Sequence, residues 1–172
     1  MELSTGGNGQ QIILTGEMYK SITELLSELL IKTKSRIIVF ADINGHAITQ
    51  KGSTTGFNVN ALAALAAGHF AATIEMSKLI GEKKRFKYIF HEGDEMNMYT
   101  CNVGDNFLLL VVFDVSIALG MIRIFSARTI KTLQELLAQN EDVDEKASDF
   151  LDIEFSTLLN QELDKSFNKY DL

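Results

Sequence analysis

Apolar positions along the chain switch between two periods. From Glu17 to Thr33, Met18, Ile22, Leu25, Leu26, Leu29 and Leu30 recur at spacings of three and four, which predicts an amphipathic helix. Arg36-Ile-Ile-Val-Phe-Ala-Asp42 is β-branched and strand-like. Asn44-Gly45 after it predicts a two-residue type I′ hairpin turn, whose central residues both need positive φ, with Ala47–Lys51 returning. A loop over Gly52–Gly56 leads to a second helix, Val59–Ile80, with Asn58 or Asn60 as cap and Gly81 closing it. Three strands follow, Phe86–His91, Met96–Asn102 and Phe107–Asp114, joined by the compact turns Glu92-Gly-Asp-Glu95 and Val103-Gly-Asp105. Ser116 to Gln139 predicts a third helix with Leu119, Ile122, Ile130, Leu133 and Leu137 on one side. The order helix-strand-strand-helix-strand-strand-strand-helix predicts an α+β fold: a five-stranded antiparallel sheet with helices covering its faces.

Outside that body the pattern changes. Residues 1–16 form a lead-in whose Ser4-Thr-Gly-Gly-Asn-Gly9 lacks the Gly-Lys-Ser/Thr ending of a phosphate loop. Residues 17–139 hold the globular domain, 140–149 an acidic linker and 150–172 a helical tail. In the tail, Leu151, Phe155, Leu158, Leu159, Leu163 and Phe167 repeat at helical spacing. An isolated helix of this length is marginal in water. Each of those side chains contributes about 1.5–3 kcal/mol when buried, so the segment wants a partner surface, on its own body or on another protein.

Charge sharpens this division. The net charge is −7, and residues 141–172 carry ten acidic and three basic side chains, leaving thirteen of each in residues 1–140. A neutral body with an acidic tail argues against a nucleic-acid binder held by phosphate neutralisation. One cysteine, Cys101, excludes an intrachain disulfide, and no secretory signal pattern opens the sequence, so a cytoplasmic, reducing setting is expected. The longest apolar run, Phe107–Phe113, is seven residues against the roughly 20 that span a bilayer, so no membrane insertion is expected. Proline is absent, which excludes Pro-rich recognition segments.

The second helix is the most informative element. At about 100° per residue, Leu62, Leu65, Ala66, His69, Ala72, Thr73, Met76 and Ile80 share one broad face, expected to lie on the sheet. Roughly opposite run Ala64, Ala67, Gly68, Ala71, Glu75 and Lys78, a strip of small residues where a solvated helix carries Lys, Glu and Gln. Ala63, Phe70 and Ile74 form an apolar flank between. The flank is expected to pack on a second copy of the helix and the small strip to receive a partner. A helix enclosed in a larger domain, or one rich in Ala for propensity alone, has the same pattern.

No catalytic constellation emerges. His46 sits beside the Asn44-Gly45 turn, His69 on the face expected inward, and His91 at a strand end, each readable as a hydrogen-bonded structural residue. His91 and Cys101 fall on neighbouring strands, but two ligands do not make a zinc site. Asp42 and Asn44 are explained by the hairpin, and Glu92, Asp94 and Glu95 by a solvated turn. No metal or cofactor is expected. Lys83-Lys-Arg85 and Lys87, with Lys78 a turn earlier, form a basic cluster that is either a solvated loop or an acceptor for acidic surface.

These residues together resemble the roadblock / dynein light-chain family, and within it the bacterial gliding-protein MglB type. The resemblance runs through Ile13-Leu-Thr-Gly-Glu-Met-Tyr19, Val39-Phe-Ala-Asp-Ile-Asn-Gly45, Leu62-Ala-Ala-Leu-Ala-Ala-Gly-His-Phe-Ala-Ala72 and Leu79-Ile-Gly-Glu82. It continues with Phe90-His-Glu-Gly93, Leu109-Leu-Val-Val-Phe-Asp114 and Leu119-Gly-Met-Ile-Arg-Ile124. It implies a profilin-like roadblock sandwich and a homodimer whose sheets join, with paired central helices on one side. It further implies binding of a MglA-type Ras-like small GTPase, two roadblock subunits per GTPase, with stimulation of GTP hydrolysis in polarity or gliding motility. Carried onto this chain, the GTPase contact falls on Ala64, Gly68, Ala71, Glu75 and Lys78, and a tail contact on Leu151, Phe155, Leu158, Leu159, Leu163 and Phe167. The chain is then a regulator and not itself an enzyme. A scaffold that tethers a GTPase without acceleration is the alternative. A profilin-like or PAS-like small-molecule sensor is a more distant one, needing a polar-lined pocket between helix and sheet.

Overall fold

The computed structural model of the chain describes residues 15–139. Helix α1 spans Gly16–Thr33; Thr15 caps it, its hydroxyl accepting from the Met18 N–H at 3.3 Å. Met18, Ile22, Leu26 and Leu29 are buried, the inward stripe that the spacing predicts, while Lys34 takes φ 53° to end the helix. Strands β1 (Ile37–Asp42) and β2 (Ala47–Gly52) follow, then helix α2 (Val59–Leu79) and strands β3 (Tyr88–His91), β4 (Met96–Val103) and β5 (Phe107–Asp114). A third helix, α3, covers residues 119–139. The order is the one expected, and all pairings are antiparallel in one sheet, β2-β1-β5-β4-β3.

Register decides which residues share a face. Ile37 pairs with Val112, Val39 with Leu110 and Ala41 with Leu108. Ile37, Val39, Leu108, Leu110 and Val112 form one cluster with Ala66, Ala67 and Phe70 of α2. The alternate residues point the other way. Phe40 opposes Thr49 of β2, whose hydroxyl meets Thr23 of α1 at 3.4 Å. On that face Arg123 of α3 also lies over the Tyr88 ring, 4.8 Å from its centroid. So α1 and α3 cover one face and α2 alone covers the other, a helix–sheet–helix sandwich. β5 is buried along Phe107–Phe113, as a central strand with both faces covered should be.

Two local expectations are corrected. The β1–β2 connection is not a two-residue type I′ turn: it runs over residues 43–46, and Asn44 does not have positive φ. Asp42 organises it instead. One carboxylate oxygen accepts from the Asn44 and His46 N–H groups at 2.9 and 2.8 Å, and the other meets His46 Nδ1 at 2.9 Å. This Asx geometry needs positive φ only at Gly45, +90°. The irregular register between Phe40 and Ala41 absorbs the difference.

The second correction concerns the phase of α2. The residues buried against the sheet are Ala63, Ala66, Ala67, Phe70, Thr73 and Ser77, so Ala67, expected on the outward strip, lies inward instead. Of the face expected inward, Leu65 is 73% exposed, Met76 47% and Ile80 70%, and His69 and Ala72 are also exposed. The helix is apolar nearly all round, so hydrophobicity alone had no phase to select; on the sheet side Ala66 and Ala67 allow close approach and Phe70 fills the cluster with Val39, Leu108 and Leu110. The inward hydroxyls are satisfied within the helix, Thr73 donating to the Phe70 carbonyl at 2.8 Å and Ser77 to that of Ile74 at 2.7 Å.

Candidate functional site

The outward surface of α2 is the candidate site, and it carries two strips. Ala64, Gly68, Ala71, Glu75 and Lys78 are all exposed and follow one line down the helix. Nothing lies within 4 Å of a Cβ built on Gly68, so the middle of this strip is open. Its lower end is an ion pair, Lys78 Nζ to Glu75 Oε1 at 2.7 Å. Its upper end abuts the β1–β2 turn, where Gly45 approaches the Ala64 backbone. Beside Ala71, Ile74 and Lys78 opens a cleft of about 480 Å³ with Phe70 and Leu108 among its apolar walls and Lys83, Lys84 and Arg85 at its mouth. Arg85 is held by Asp105 at 3.1 Å.

The second strip is drawn largely from the face that the sequence pattern places inward, with Leu79 added to it. Leu65, Ala72, Met76 and Leu79 line it, with Leu79 86% exposed. The expected flank of Ala63, Phe70 and Ile74 is corrected in the same stroke: Ala63 and Phe70 are buried against the chain's own sheet, and Ile74 packs beside them. Ala63 and Phe70 are unavailable to a second copy, while Ile74 is partly buried and lines the cleft. The surface left for one is Leu65, Ala72, Met76 and Leu79. Side-chain size does not mark the phase either, since Ala64, Gly68, Ala71 and Ala72 are exposed while Phe70 is buried. By length and composition α2 also meets the requirement of a membrane-crossing helix; its apolar residues divide between the sheet-facing side and this exposed strip.

His69 belongs to the exposed strip and meets His91 of the edge strand β3, Nδ1 to Nε2 at 3.1 Å. Burial first, and then the charge of His69, hold His91 below the usual imidazole range. His91 and Cys101 are not brought together. Cys101 opposes Tyr88 while His91 opposes Met98, which places them on opposite faces. The Cys101 thiol is buried, donates to the Leu109 carbonyl at 3.7 Å, and is pushed up by burial. Glu92, Asp94 and Glu95 are exposed in the β3–β4 turn. Among the described residues no group of three or more His, Cys, Asp or Glu could hold a metal ion. The tail residues Leu151, Phe155, Leu158, Leu159, Leu163 and Phe167 lie outside the described residues.

None of the four arginines lies on the strip, although Arg85 lines the cleft beside its lower end. Arg85 is paired with Asp105, Arg123 lies over Tyr88, Arg128 lies 5.8 Å from the Phe125 ring centroid, and Arg36 immediately precedes β1. What α2 offers is a contact surface, small and open along one line and apolar along the next.

Known proteins match this chain as follows. A Roadblock/LC7 domain family profile matches residues 22–113. No curated protein sequence matches it significantly. Among solved structures, Myxococcus xanthus MglB is 30% identical with a TM-score of 0.67, over 69% of this chain and 96% of that one. The gliding protein MglB of Thermus thermophilus is 30% identical with a TM-score of 0.69, over 76% and 98%. An MglB with a tetrameric arrangement is 28% identical with a TM-score of 0.70, over 77% and 98%.

Proposed function

We propose, because this chain belongs to the Roadblock/LC7 family and to its MglB type, that it is a homodimeric regulator which binds a Ras-like small GTPase of the MglA type and stimulates its GTP hydrolysis. The observation that carries the reading is the 30% identity to two MglB chains over 96% and 98% of their lengths. The exposed surface of α2 supports it: a strip open enough for another backbone to approach, beside an apolar strip that a second copy would cover.

In this reading the dimer forms through Leu65, Ala72, Met76 and Leu79 together with the open edge at β3. A two-fold axis there sets two copies of the small strip side by side, so that Ala64, Gly68, Ala71, Glu75 and Lys78 of both subunits face one GTPase. Activators often insert an arginine at the transferring phosphoryl group. None of the four arginines lies on the strip, so acceleration comes from binding the GTPase's catalytic switch arrangement more tightly than its resting one. Raising that arrangement from 1% to 99% takes about 5.5 kcal/mol of differential binding. Residues 140–149 act as an acidic linker, and the 150–172 segment contacts the GTPase through Leu151, Phe155, Leu158, Leu159, Leu163 and Phe167. Association helped by that charge slows as salt rises.

GTP turnover by the cognate GTPase tests this, measured alone, with the full chain, and with the chain truncated after Asn140. Acceleration by the full chain is expected. Binding without acceleration overturns the activator role and leaves a tether; absence of binding overturns the partner. Acceleration lost on truncation moves the working contact from α2 into the tail.

A further inference from the structure

His69 and His91 join two features that a second copy would cover. His69 lies on the exposed strip of α2, among Leu65, Ala72 and Met76, and His91 is the last residue of the edge strand β3. The ring nitrogens are 3.1 Å apart, with centroids at 4.8 Å and the rings tilted by 52°. A hydrogen bond at that distance needs one N–H and one lone pair. The contact therefore survives with no added proton or with one. With two, both facing nitrogens carry hydrogens and two positive rings are held in contact.

The surroundings add to that cost. His91 Nδ1 is buried without a hydrogen-bond partner. A neutral ring can place its lone pair there, whereas a charged ring places an N–H with nothing to accept it. Burial and the charge of His69 are what lower His91, with no carboxylate acting to raise it. On α2, Glu75 is already paired with Lys78. In the β3–β4 turn, Glu92, Asp94 and Glu95 are exposed, and the β4 residue opposite His91 is the unionisable Met98.

We infer that the His69–His91 pair makes self-association through the α2 strip and the β3 edge sensitive to protons, favoured while at most one imidazole is charged and weakened when both are. This rests on the dimer reading above. Covering the pair removes water from it and raises the cost of the second charge, so dissociation takes up protons. One extra proton per protomer gives a dissociation constant that rises up to about a hundredfold per pH unit.

Sedimentation equilibrium of the full chain at pH 7.5, 6.5 and 5.5 tests it, with circular dichroism to confirm that the fold is kept. Carboxylates outside special sites titrate below this window. The dissociation constant is expected to rise at least about tenfold from pH 7.5 to 5.5. His69→Gln, at an exposed helix position, keeps hydrogen-bonding capacity without a titrating proton and is expected to reduce the change to less than about threefold. Imidazole NMR of the unaltered chain is expected to show one ring titrating below the ordinary value of about 6.5. A dimer of pH-independent strength overturns the inference and leaves the dimer standing. A monomer at every pH overturns both. The same pH dependence in His69→Gln, or two rings titrating independently near 6.5, overturns the inference alone.

Discussion

Gly45 is pressed against Ala64: a Cβ built on Gly45 would lie 2.5 Å from the Ala64 Cα and 3.2 Å from its nitrogen. The turn between β1 and β2 thereby touches α2 where the small strip begins. Asp42 fixes the turn from below through its bonds to Asn44 and His46, and the close approach to Ala64 fixes it from above. The position of the strip relative to the sheet therefore depends on a residue outside the helix.

Gly45→Ala combines that close approach with a φ of +90°, and the atoms in the way are helix backbone. A loss of about 1–3 kcal/mol is expected. For a domain of this size that is a drop in Tm of roughly 3 °C or more, read by thermal unfolding. An unchanged Tm would mean that turn and helix can separate freely.

Gly68→Arg and Ala71→Arg test the strip itself. A Cβ on Gly68 meets nothing, and replacing a helix-interior glycine gains up to about 1 kcal/mol of helix propensity, so the fold should hold. The added side chains fill the open line along α2. Stimulation of the GTPase is expected to fall to the unstimulated rate while the dimer persists. Normal stimulation by both variants removes this strip from the contact surface.

The two sides of α2 can be separated by mutation. Leu65→Glu with Met76→Glu places charge on the exposed strip and is expected to give a folded monomer by light scattering. Phe70→Ala removes a side chain that is 4% exposed and is expected to cost about 3–5 kcal/mol of stability. If Phe70→Ala instead leaves stability intact and splits the dimer, the helix faces are assigned the wrong way round.

Much of this was legible in the sequence, and the exceptions share a cause. A clear contrast between faces makes α1 legible, burying Met18, Ile22, Leu26 and Leu29, and a continuous apolar run bounded by turns makes β5 legible over Phe107–Asp114. The small strip was legible too, because Ala64, Gly68 and Ala71 stand out from any ordinary solvated face. The rest of α2 was not. Alanines next to leucines give no strong polarity difference, and close packing of helix on sheet is a tertiary demand. His69 was misplaced with its face, so its meeting with His91, 22 residues on, depended on a phase that periodicity did not supply. The β1–β2 turn was found but mistyped, since the Asn-Gly signal was overridden by the longer reach of the Asp42 carboxylate.

Cys101 offers a check on the packing of the other face. Its thiol is buried and bonded to the Leu109 carbonyl, and burial raises it from an ordinary value of 9.0. A thiol-specific disulfide reagent should therefore react with the native chain only as fast as it opens, since the thiolate is the nucleophile. The same shift fixes a sign. Above pH 9 the unfolded chain loses the thiol proton while the folded chain keeps it, so the unfolded state binds fewer protons and stability falls as pH rises. Tyr99, raised first by burial and then by Cys101, adds to the loss above pH 10. Cys101→Ala should make the decline between pH 9 and 10 shallower in urea unfolding. An equally steep decline, or rapid labelling of the native chain at pH 8, would mean that the thiol is open to solvent and that β4 is not covered on this face.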